Sequence, residues 1–204
     1  ARDLGDPAAP QEIFDSIKAE KIEVKYLINN AGFGGRGKFH ERDWKQDFAM
    51  IQLNVVALTE LCHLFIPEFV ERNNGRILNV SSTASLPPGG PLQSVYFATK
   101  HYVTALSYGI ASELEGTGVT VTTLLPGATE SEFAHTSGMD KTDLFTKTAS
   151  ARSVAEDGYQ AMLAGKLSVV SGLTSSQKLM MATMPFMPKK LILSQIRQMQ
   201  DASK

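Results

Sequence analysis

The sequence predicts an α/β fold in which a doubly wound parallel sheet is flanked by helices on both faces. Short apolar runs alternate with helix-length amphipathic segments along the chain, which is the order of consecutive βαβ units. Three segments rich in Gly, Pro and hydroxyl side chains each follow an apolar run, at residues 30–35, 81–91 and 126–131. Because a parallel sheet binds its ligand beyond the carboxyl ends of its strands, these segments predict the site.

The composition is typical of one folded domain that spans residues 1–204. The 204 residues are 43% hydrophobic and 20% charged, and the formal net charge is -1. This balance gives no basic surface for nucleic acid, so no nucleic-acid partner is expected. No run approaches the roughly 20 apolar residues of a membrane span, and the chain does not open on a signal peptide. We therefore expect a cytoplasmic protein without membrane contact.

The predicted elements follow from the periodicity of apolar residues. Four apolar runs predict strands at residues 24–28, 76–80, 119–125 and 167–170. Helical spacing predicts helices at residues 10–21, 43–72, 94–115, 153–166 and 175–204. Residues 1–4 have the composition of the end of a further strand. Pro67 is expected to bend or interrupt the second helix, and Pro185 and Pro188 to break the last one.

Neither the cysteine nor the histidines predict a metal site. Cys62 is the only cysteine, which excludes an internal disulfide and a thiolate cluster. It lies in an apolar helical segment, where we expect a buried, unreactive thiol. His40, His63, His101 and His135 lack the spacing of metal ligands.

A tyrosine and a lysine in the third predicted helix have the spacing needed for acid–base chemistry. Tyr96 and Lys100 are four residues apart and therefore share one face of the helix. Ser82 precedes Tyr96 by fourteen residues and follows a predicted strand. This set suits carbonyl or alcohol chemistry, with Tyr96 as the acid or base and a serine to hold the substrate oxygen. Alone, a Tyr-x-x-x-Lys pair is weak evidence for a catalytic site, because solvated helix faces carry such pairs by chance.

Four further motifs strengthen the interpretation. They are Asn29-Asn30-Ala31-Gly32, the helix residue Asn54, the serine Ser82, and Pro126-Gly127-Ala128-Thr129. Together with Tyr96 and Lys100, they resemble, in order, the motifs of the classical short-chain dehydrogenase/reductase family. The resemblance implies a Rossmann-like NAD(P)-binding domain and hydride transfer between a nicotinamide cofactor and a carbonyl or alcohol.

The resemblance also implies a role for each catalytic candidate. Tyr96 would be the acid or base; Lys100 would lower its pKa from about 10 and hold the nicotinamide ribose. Ser82 would bind the substrate oxygen, and Asn54 would hold a water in the proton path. In the commonest family pattern the serine lies thirteen residues before the tyrosine, a position that Thr83 occupies here. Ser82 is favoured over Thr83, because residues 81–85 match the family's Ser-Ser-x-Ala segment.

The cofactor contacts implied by the resemblance fall into two groups. On the adenosine side they are Asn30, Ala31 and Gly32, with Asp3 and Leu4 near the adenine. On the nicotinamide side they are Tyr96, Lys100, Pro126, Gly127 and Thr129. NADP(H) is favoured over NAD(H) as a family-level expectation.

One family motif is absent from the sequence. The Thr-Gly-x-x-x-Gly-x-Gly loop, which binds the cofactor pyrophosphate, has no counterpart in residues 1–28. The domain thus lacks its first βαβα portion, roughly 50 to 60 residues or about two supersecondary units. We therefore hypothesise that the natural protein has a preceding segment, without which residues 24–28 would form an exposed edge strand.

Several alternatives stay open. A non-catalytic nucleotide-binding sensor or scaffold would have a similar fold, and an extended-family nucleotide-sugar epimerase would need a larger substrate domain. Residues 128–150 and 175–204 are expected to form a substrate flap and lid, and the Met-rich tail favours an apolar, lipid-like or bulky ketone. The same tail could instead lie on a membrane surface. By family analogy, helices 43–72 and 94–115 would form a homodimer or homotetramer.

Overall fold

A computed structural model of the chain describes residues 1–139, 142 and 148–201. Its four strands are all parallel and lie in chain order: β1 Tyr26–Asn29, β2 Gly75–Val80, β3 Val119–Pro126 and β4 Ser168–Ser171. The register pairs Ile77 with Leu27 on one side and with Val121 on the other. The α/β class and the parallel sheet are confirmed. Because the described strands show no reversal of order, they form one half of a doubly wound arrangement.

The helices lie close to their predicted positions. They are α1 Ala9–Ala19, α2 Trp44–Ile51, α3 Leu58–Glu71, α4 Ser94–Glu113, α5 Phe133–Thr136, α6 Ala151–Leu163, α7 Ser175–Thr183 and α8 Lys189–Gln200. A π-helical segment, Gln52–Ala57, joins α2 to α3. Short 3-10 turns span Phe39–Glu41, Thr83–Ser85 and Met184–Phe186. The last of these contains Pro185, so the predicted break in the carboxyl-terminal helix is confirmed.

Helices cover both faces of the sheet because consecutive strand residues point to opposite sides. On one face, Ile77 and Val121 pack with apolar residues of α3 and α4, among them Phe65 and Val103. On the other face, Leu78 and Leu124 pack with Val154 and Met162 of α6. Burying both faces explains why these strands are continuous apolar runs in the sequence rather than alternating ones.

Residues 1–4 are not a strand, which corrects the prediction made for them. The Asp3 carboxylate accepts a hydrogen bond from the main-chain N–H of Gly5 at 2.9 Å, and the N–H of Asp6 donates to the Asp3 carbonyl at 3.0 Å. These contacts form a turn. Among the described residues, no strand pairs with this segment, and a short apolar stretch without a pairing partner does not become a strand.

The long second helix begins where predicted, but Pro67 does not interrupt it. Asp43 caps the helix by accepting from the N–H of Lys45 at 3.0 Å. α3 continues through Pro67 to Glu71, although a proline inside a helix costs about 3 kcal/mol. Phe65 and Phe69, on either side of the proline, are buried in the core, and their packing holds the helix together. The irregularity lies instead in the π-helical segment Gln52–Ala57.

The continuous helix Trp44–Glu71, which comprises α2, the π-helical segment and α3, is strongly apolar. An 18-residue window reaches a mean hydropathy of 1.6, which by length and composition alone would suffice to cross a membrane. In the fold, 44% of this window is buried, and Leu58, Leu61 and Phe65 belong to the main core cluster. A core helix of a globular protein passes the same test, so the finding is weak support for a membrane span.

The strand β1 forms an edge of the sheet, as the sequence predicts. It pairs with β2 and with no other strand among the described residues. Tyr26 and Ile28 are 43% and 49% exposed on the face opposite to Leu27. Native proteins seldom leave an apolar edge strand of this kind exposed to solvent.

Candidate active site

A cavity of about 870 Å3 lies at the carboxyl ends of the first three strands. Its wall includes Asn30 after β1, residues 80–84 at the end of β2, and Pro126 at the end of β3. Tyr96 and Lys100 enter from the first turns of α4 and are 8% and 6% exposed. The parallel register brings these strand ends to one edge, which is why motifs far apart in sequence meet here.

The Ser82 side chain lies beside the Tyr96 hydroxyl: burial raises the pKa of Tyr96, and hydrogen bonding to Ser82 acts in the opposite direction. Ser82 caps the 3-10 turn Thr83–Ser85, where its hydroxyl accepts from the N–H of Ala84 at 3.1 Å. Both Ser82 and Thr83 line the cavity. Ser82 is therefore fixed by its own backbone turn next to the phenol.

Burial raises the pKa of Tyr96 to about 12, against the opposing contact with Ser82. The net direction is therefore opposite to the one expected, while the lowering effect expected of Lys100 itself stays a prediction. The Lys100 ammonium lies 5.9 Å from the centroid of the Tyr96 ring and donates to the main-chain oxygen of Val80 at 2.9 Å. Desolvation of the phenol therefore dominates, and Tyr96 is protonated at neutral pH.

Lys100 is itself desolvated, and burial lowers its pKa to about 8. One of its three N–H groups is used by Val80, at the end of β2. Ser81 anchors the helix turn that carries Lys100, because its hydroxyl donates to the Lys100 carbonyl at 2.9 Å. Lys100 is thus held at the sheet edge with donors to spare.

Asn54 clamps the glycine-rich loop to the helices. Its amide nitrogen donates to the Phe33 carbonyl at 2.9 Å and to the Thr99 hydroxyl at 3.2 Å, while its oxygen accepts from the Phe33 N–H at 3.1 Å. A Cβ on Gly32 would lie 2.9 Å from the same oxygen and 3.5 Å from the Lys100 nitrogen. Only glycine lets the loop approach this closely.

The structure brings most, but not all, of the predicted cofactor residues together. Those that line the cavity are Asn30, Gly32, Tyr96, Lys100, Pro126, Gly127 and Thr129. Asp3, Leu4 and Ala31 do not line it. Asp3 is held in its own turn, and Leu4 packs on the main core cluster, so neither side chain extends toward the cavity.

The donors present fit one half of a nicotinamide nucleotide. The Lys100 ammonium, the Tyr96 and Thr129 hydroxyls and the Asn30 amide converge on the cavity beside the close approach at Gly32. These groups suit ribose hydroxyls and a carboxamide. A glycine-rich helix start for the pyrophosphate is not found among residues 1–139, 142 and 148–201.

Residues of the predicted flap and lid line the cavity. Phe133, in the predicted flap, packs on Tyr96 with ring centroids 5.3 Å apart. The lid methionines that line the cavity are Met180, Met181, Met184 and Met199. Arg36, in the loop after β1, donates to the Gln200 carbonyl at 2.7 Å and so ties the end of α8 to that loop. Flap residues 140, 141 and 143–147 lie outside the described residues.

Sequence reasoning missed several residues of the site. Ser81 anchors the Lys100 turn, Thr99 receives the Asn54 amide, and Gln93 lines the cavity three residues before Tyr96. Ser81 and Thr99 adjoin the motif residues Ser82 and Lys100, and their hydroxyls were the available signal. No feature of the sequence marks Gln93 or Phe133, because only the folded chain brings them to the cavity.

The remaining ionisable candidate is structural. Cys62 is buried, as predicted, and burial raises the pKa of its thiol to about 11. Asn29 and Asn79 contact its sulfur from the neighbouring strands. No cluster of three or more His, Cys, Asp or Glu residues suited to a metal ion occurs in the part of the chain that the structure describes.

Comparison with known proteins assigns the family. The sequence model of the short chain dehydrogenase family matches residues 1–142. The NADP-dependent 3-hydroxy acid dehydrogenase YdfG of Escherichia coli K12 is 37% identical over 131 residues, which are 61% of this chain and 50% of that protein. Sulfoacetaldehyde reductase 2 of Chromohalobacter salexigens is 34% identical over 133 residues, 64% of this chain and 52% of that protein.

A solved structure agrees with this result. The short-chain dehydrogenase from Sphingobium yanoikuyae in complex with NADPH superposes with a TM-score of 0.76 at 28% identity, covering 98% of this chain and 76% of that one. The chain therefore belongs to the short chain dehydrogenase family. It spans about half the length of the curated relatives that it matches.

The buried lysine predicts a specific pH dependence of stability. Burial lowers the pKa of Lys100 from its ordinary value of 10.5 to about 8. The contribution of this residue to the free energy of unfolding is therefore fully present above pH 10.5 and is lost as the pH falls through 8. We expect the unfolding free energy of the wild type, relative to Lys100→Met, to rise by about 3 kcal/mol between pH 7.5 and pH 10.5. Urea unfolding of both proteins across this range measures the difference.

The exposed Lys45→Met variant is the matched control for removing a surface lysine. A difference between wild type and Lys100→Met that does not change with pH would contradict the burial of the ammonium.

Proposed function

We propose that the protein containing this chain is an NADP(H)-dependent oxidoreductase that interconverts a carbonyl compound and its alcohol. The observation that carries the proposal is the placement of Tyr96 and Ser82 side by side in a buried cavity, with the Lys100 ammonium 5.9 Å from the centroid of the Tyr96 ring. Membership of the family supports the class of reaction. The name of the Escherichia coli relative and the NADPH complex of the Sphingobium enzyme favour NADP(H) over NAD(H).

Tyr96 would donate the proton in reduction. Its raised pKa keeps the phenol protonated at neutral pH, and the adjacent Ser82 hydroxyl would hold the carbonyl oxygen within reach of that proton. When bound, NADPH supplies the hydride. In alcohol oxidation Tyr96 would work as the base, for which the cationic Lys100 must offset the cost of a buried phenolate.

Lys100 would hold the cofactor ribose as well as supply charge. Val80 uses one of its N–H groups, which leaves two for ribose hydroxyls. Thr129 and Asn30, on the cavity wall, would contact the nicotinamide and the adenosine sides respectively.

Asn54 stays our candidate for holding a relay water, with a narrower role than the sequence suggests. Both hydrogens of its amide are used by Phe33 and Thr99, so a water would bind the second lone pair of its oxygen. Its main contribution would be to position the loop against Lys100.

The alternative of a nucleotide-binding sensor predicts a different result for the phenol. If the site is catalytic, Tyr96→Phe lowers kcat by at least about a thousandfold, since the proton donor is lost, while NADPH still binds with a Kd within a few-fold of the wild type. Steady-state kinetics with a bulky ketone and fluorescence titration of NADPH measure the two quantities. Tyr108→Phe, on an exposed position of the same helix, is the control.

Two hydroxyl variants complete this test. Ser82→Ala should lower kcat by about 100- to 1000-fold, the effect of losing one oxyanion donor, and Thr83→Ala by less than about threefold. Unchanged turnover in Tyr96→Phe would refute the mechanism and favour the sensor. The reverse order of the two hydroxyl variants would assign the substrate oxygen to Thr83.

We further propose that a preceding segment pairs with β1 and that the protein is a cytoplasmic homodimer or homotetramer. The exposed edge at Tyr26 and Ile28, and the greater length of the relatives, support the first part. Exposed apolar residues on the two helices expected at the subunit interface support the second, namely Trp44, Phe48, Val56, Tyr102 and Tyr108.

Native mass spectrometry of the natural protein tests both proposals at once. We expect a subunit several kilodaltons heavier than 22.2 kDa and an assembly of two or four subunits. A subunit of 22.2 kDa would contradict the preceding segment, and a monomer would contradict the assembly.

A further inference from the structure

Two buried carboxamides on the cavity wall lack hydrogen-bond partners. Gln93 and Gln200 are 4% and 2% exposed, and both line the cavity. Among the described residues, the side-chain nitrogen of Gln93 and the side-chain oxygen of Gln200 contact no donor or acceptor. Buried polar atoms are nearly always paired in proteins, so two orphans in one cavity point to a ligand that pairs with them.

The backbone fixes both residues independently of their side chains. The Gln93 N–H donates to the Gly90 carbonyl at 2.9 Å, and the Gln93 carbonyl accepts from the Phe97 N–H at 3.0 Å. Gln93 precedes the first residue of α4, yet its side chain makes no cap. Its carboxamide is therefore available to the cavity.

A hydrogen bond from Arg36 to the main chain positions Gln200. Its carbonyl accepts from the Arg36 guanidinium at 2.7 Å, and Ile192 and Ile196 seat α8 in the cluster that includes Tyr96. Gln198, on the same helix, is exposed and does not line the cavity. The orientation of α8 thus places Gln200, and not Gln198, on the cavity wall.

The charges on the wall limit what can bind there. Lys100 and Glu132 are the charged side chains that line the cavity in the described part of the chain. Lys100 belongs to the catalytic set, and Glu132 would repel an anion. Among the described residues, a carboxylate or sulfonate therefore meets no second cation on this wall, and its desolvation would cost free energy without a compensating ion pair. Besides Gln200, the wall contributed by residues 175–204 consists of Gln195 and apolar side chains, four of which are methionines.

We propose that Gln93 and Gln200 recognise a neutral hydrogen-bonding group, such as a hydroxyl, on an otherwise apolar carbonyl substrate. A hydroxyl both donates and accepts, and so it can pair with the amide N–H of Gln93 or with the amide oxygen of Gln200. The site would discriminate against anionic substrates. In this respect it would differ from the hydroxy acid dehydrogenase and the sulfoacetaldehyde reductase, whose names indicate anionic substrates. That the ligand is a carbonyl compound rests on the proposed function.

Binding of matched ketones tests the inference. The probes are 4-phenylbutan-2-one, its ortho-, meta- and para-hydroxyl derivatives, and its para-carboxylate, titrated calorimetrically into the full-length natural protein with and without NADP+. At least one hydroxyl isomer should bind about fivefold more tightly than the parent, the gain of one neutral hydrogen bond, and the carboxylate should bind more weakly.

The variants are Gln93→Met and Gln200→Met, which keep side-chain length, with Gln198→Met as the control. At least one cavity variant should reduce the ratio of the parent's Kd to the hydroxyl derivative's Kd to about twofold or less, whereas the control keeps the full preference. The absence of any hydroxyl preference, its survival in both cavity variants, or tighter binding of the carboxylate would overturn the inference. Selective binding without turnover would leave it standing and refute the proposed function.

Discussion

The arrangement of the site depends on one costly placement, the buried ammonium of Lys100. Burial depresses its pKa to about 8, and the fold offsets this cost through the carbonyl of Val80 at the end of β2. That contact requires α4 to lie directly over the strand end. Beside it, the Asn54 side-chain oxygen requires a residue without a Cβ at Gly32, because a Cβ there would lie 2.9 Å from that oxygen. The position of Tyr96, one turn earlier on the helix, follows from the same constraint.

Two clamps hold the loops around this centre. Asn54 fixes the glycine-rich loop through both polar groups of Phe33, and Arg36 fixes the end of α8 to the same loop. The loop after β1 thereby contacts the proposed catalytic helix on one side and the lid on the other.

The sequence predicts the fold well because periodicity reports burial directly. The strand ending at Val80 and the helix that carries Tyr96 agree with prediction to within two residues. The predicted interruption at Pro67 was wrong, because the packing of its aromatic neighbours overrides local propensity. The motif residues of the site were found, but the direction of the Tyr96 pKa was not, because it depends on how completely the phenol is desolvated. Gln200 could not be found from sequence, since the long-range contact to Arg36 places it in the cavity.

The most direct test of the account is to follow the transferred hydrogen. The full-length natural protein would be incubated with a neutral bulky ketone and NADPH that carries deuterium at the transferred position, and the product would be analysed by mass spectrometry. The account predicts an alcohol with one deuterium on the carbon that bore the carbonyl oxygen. Formation of no alcohol, or of an alcohol without deuterium, would contradict it.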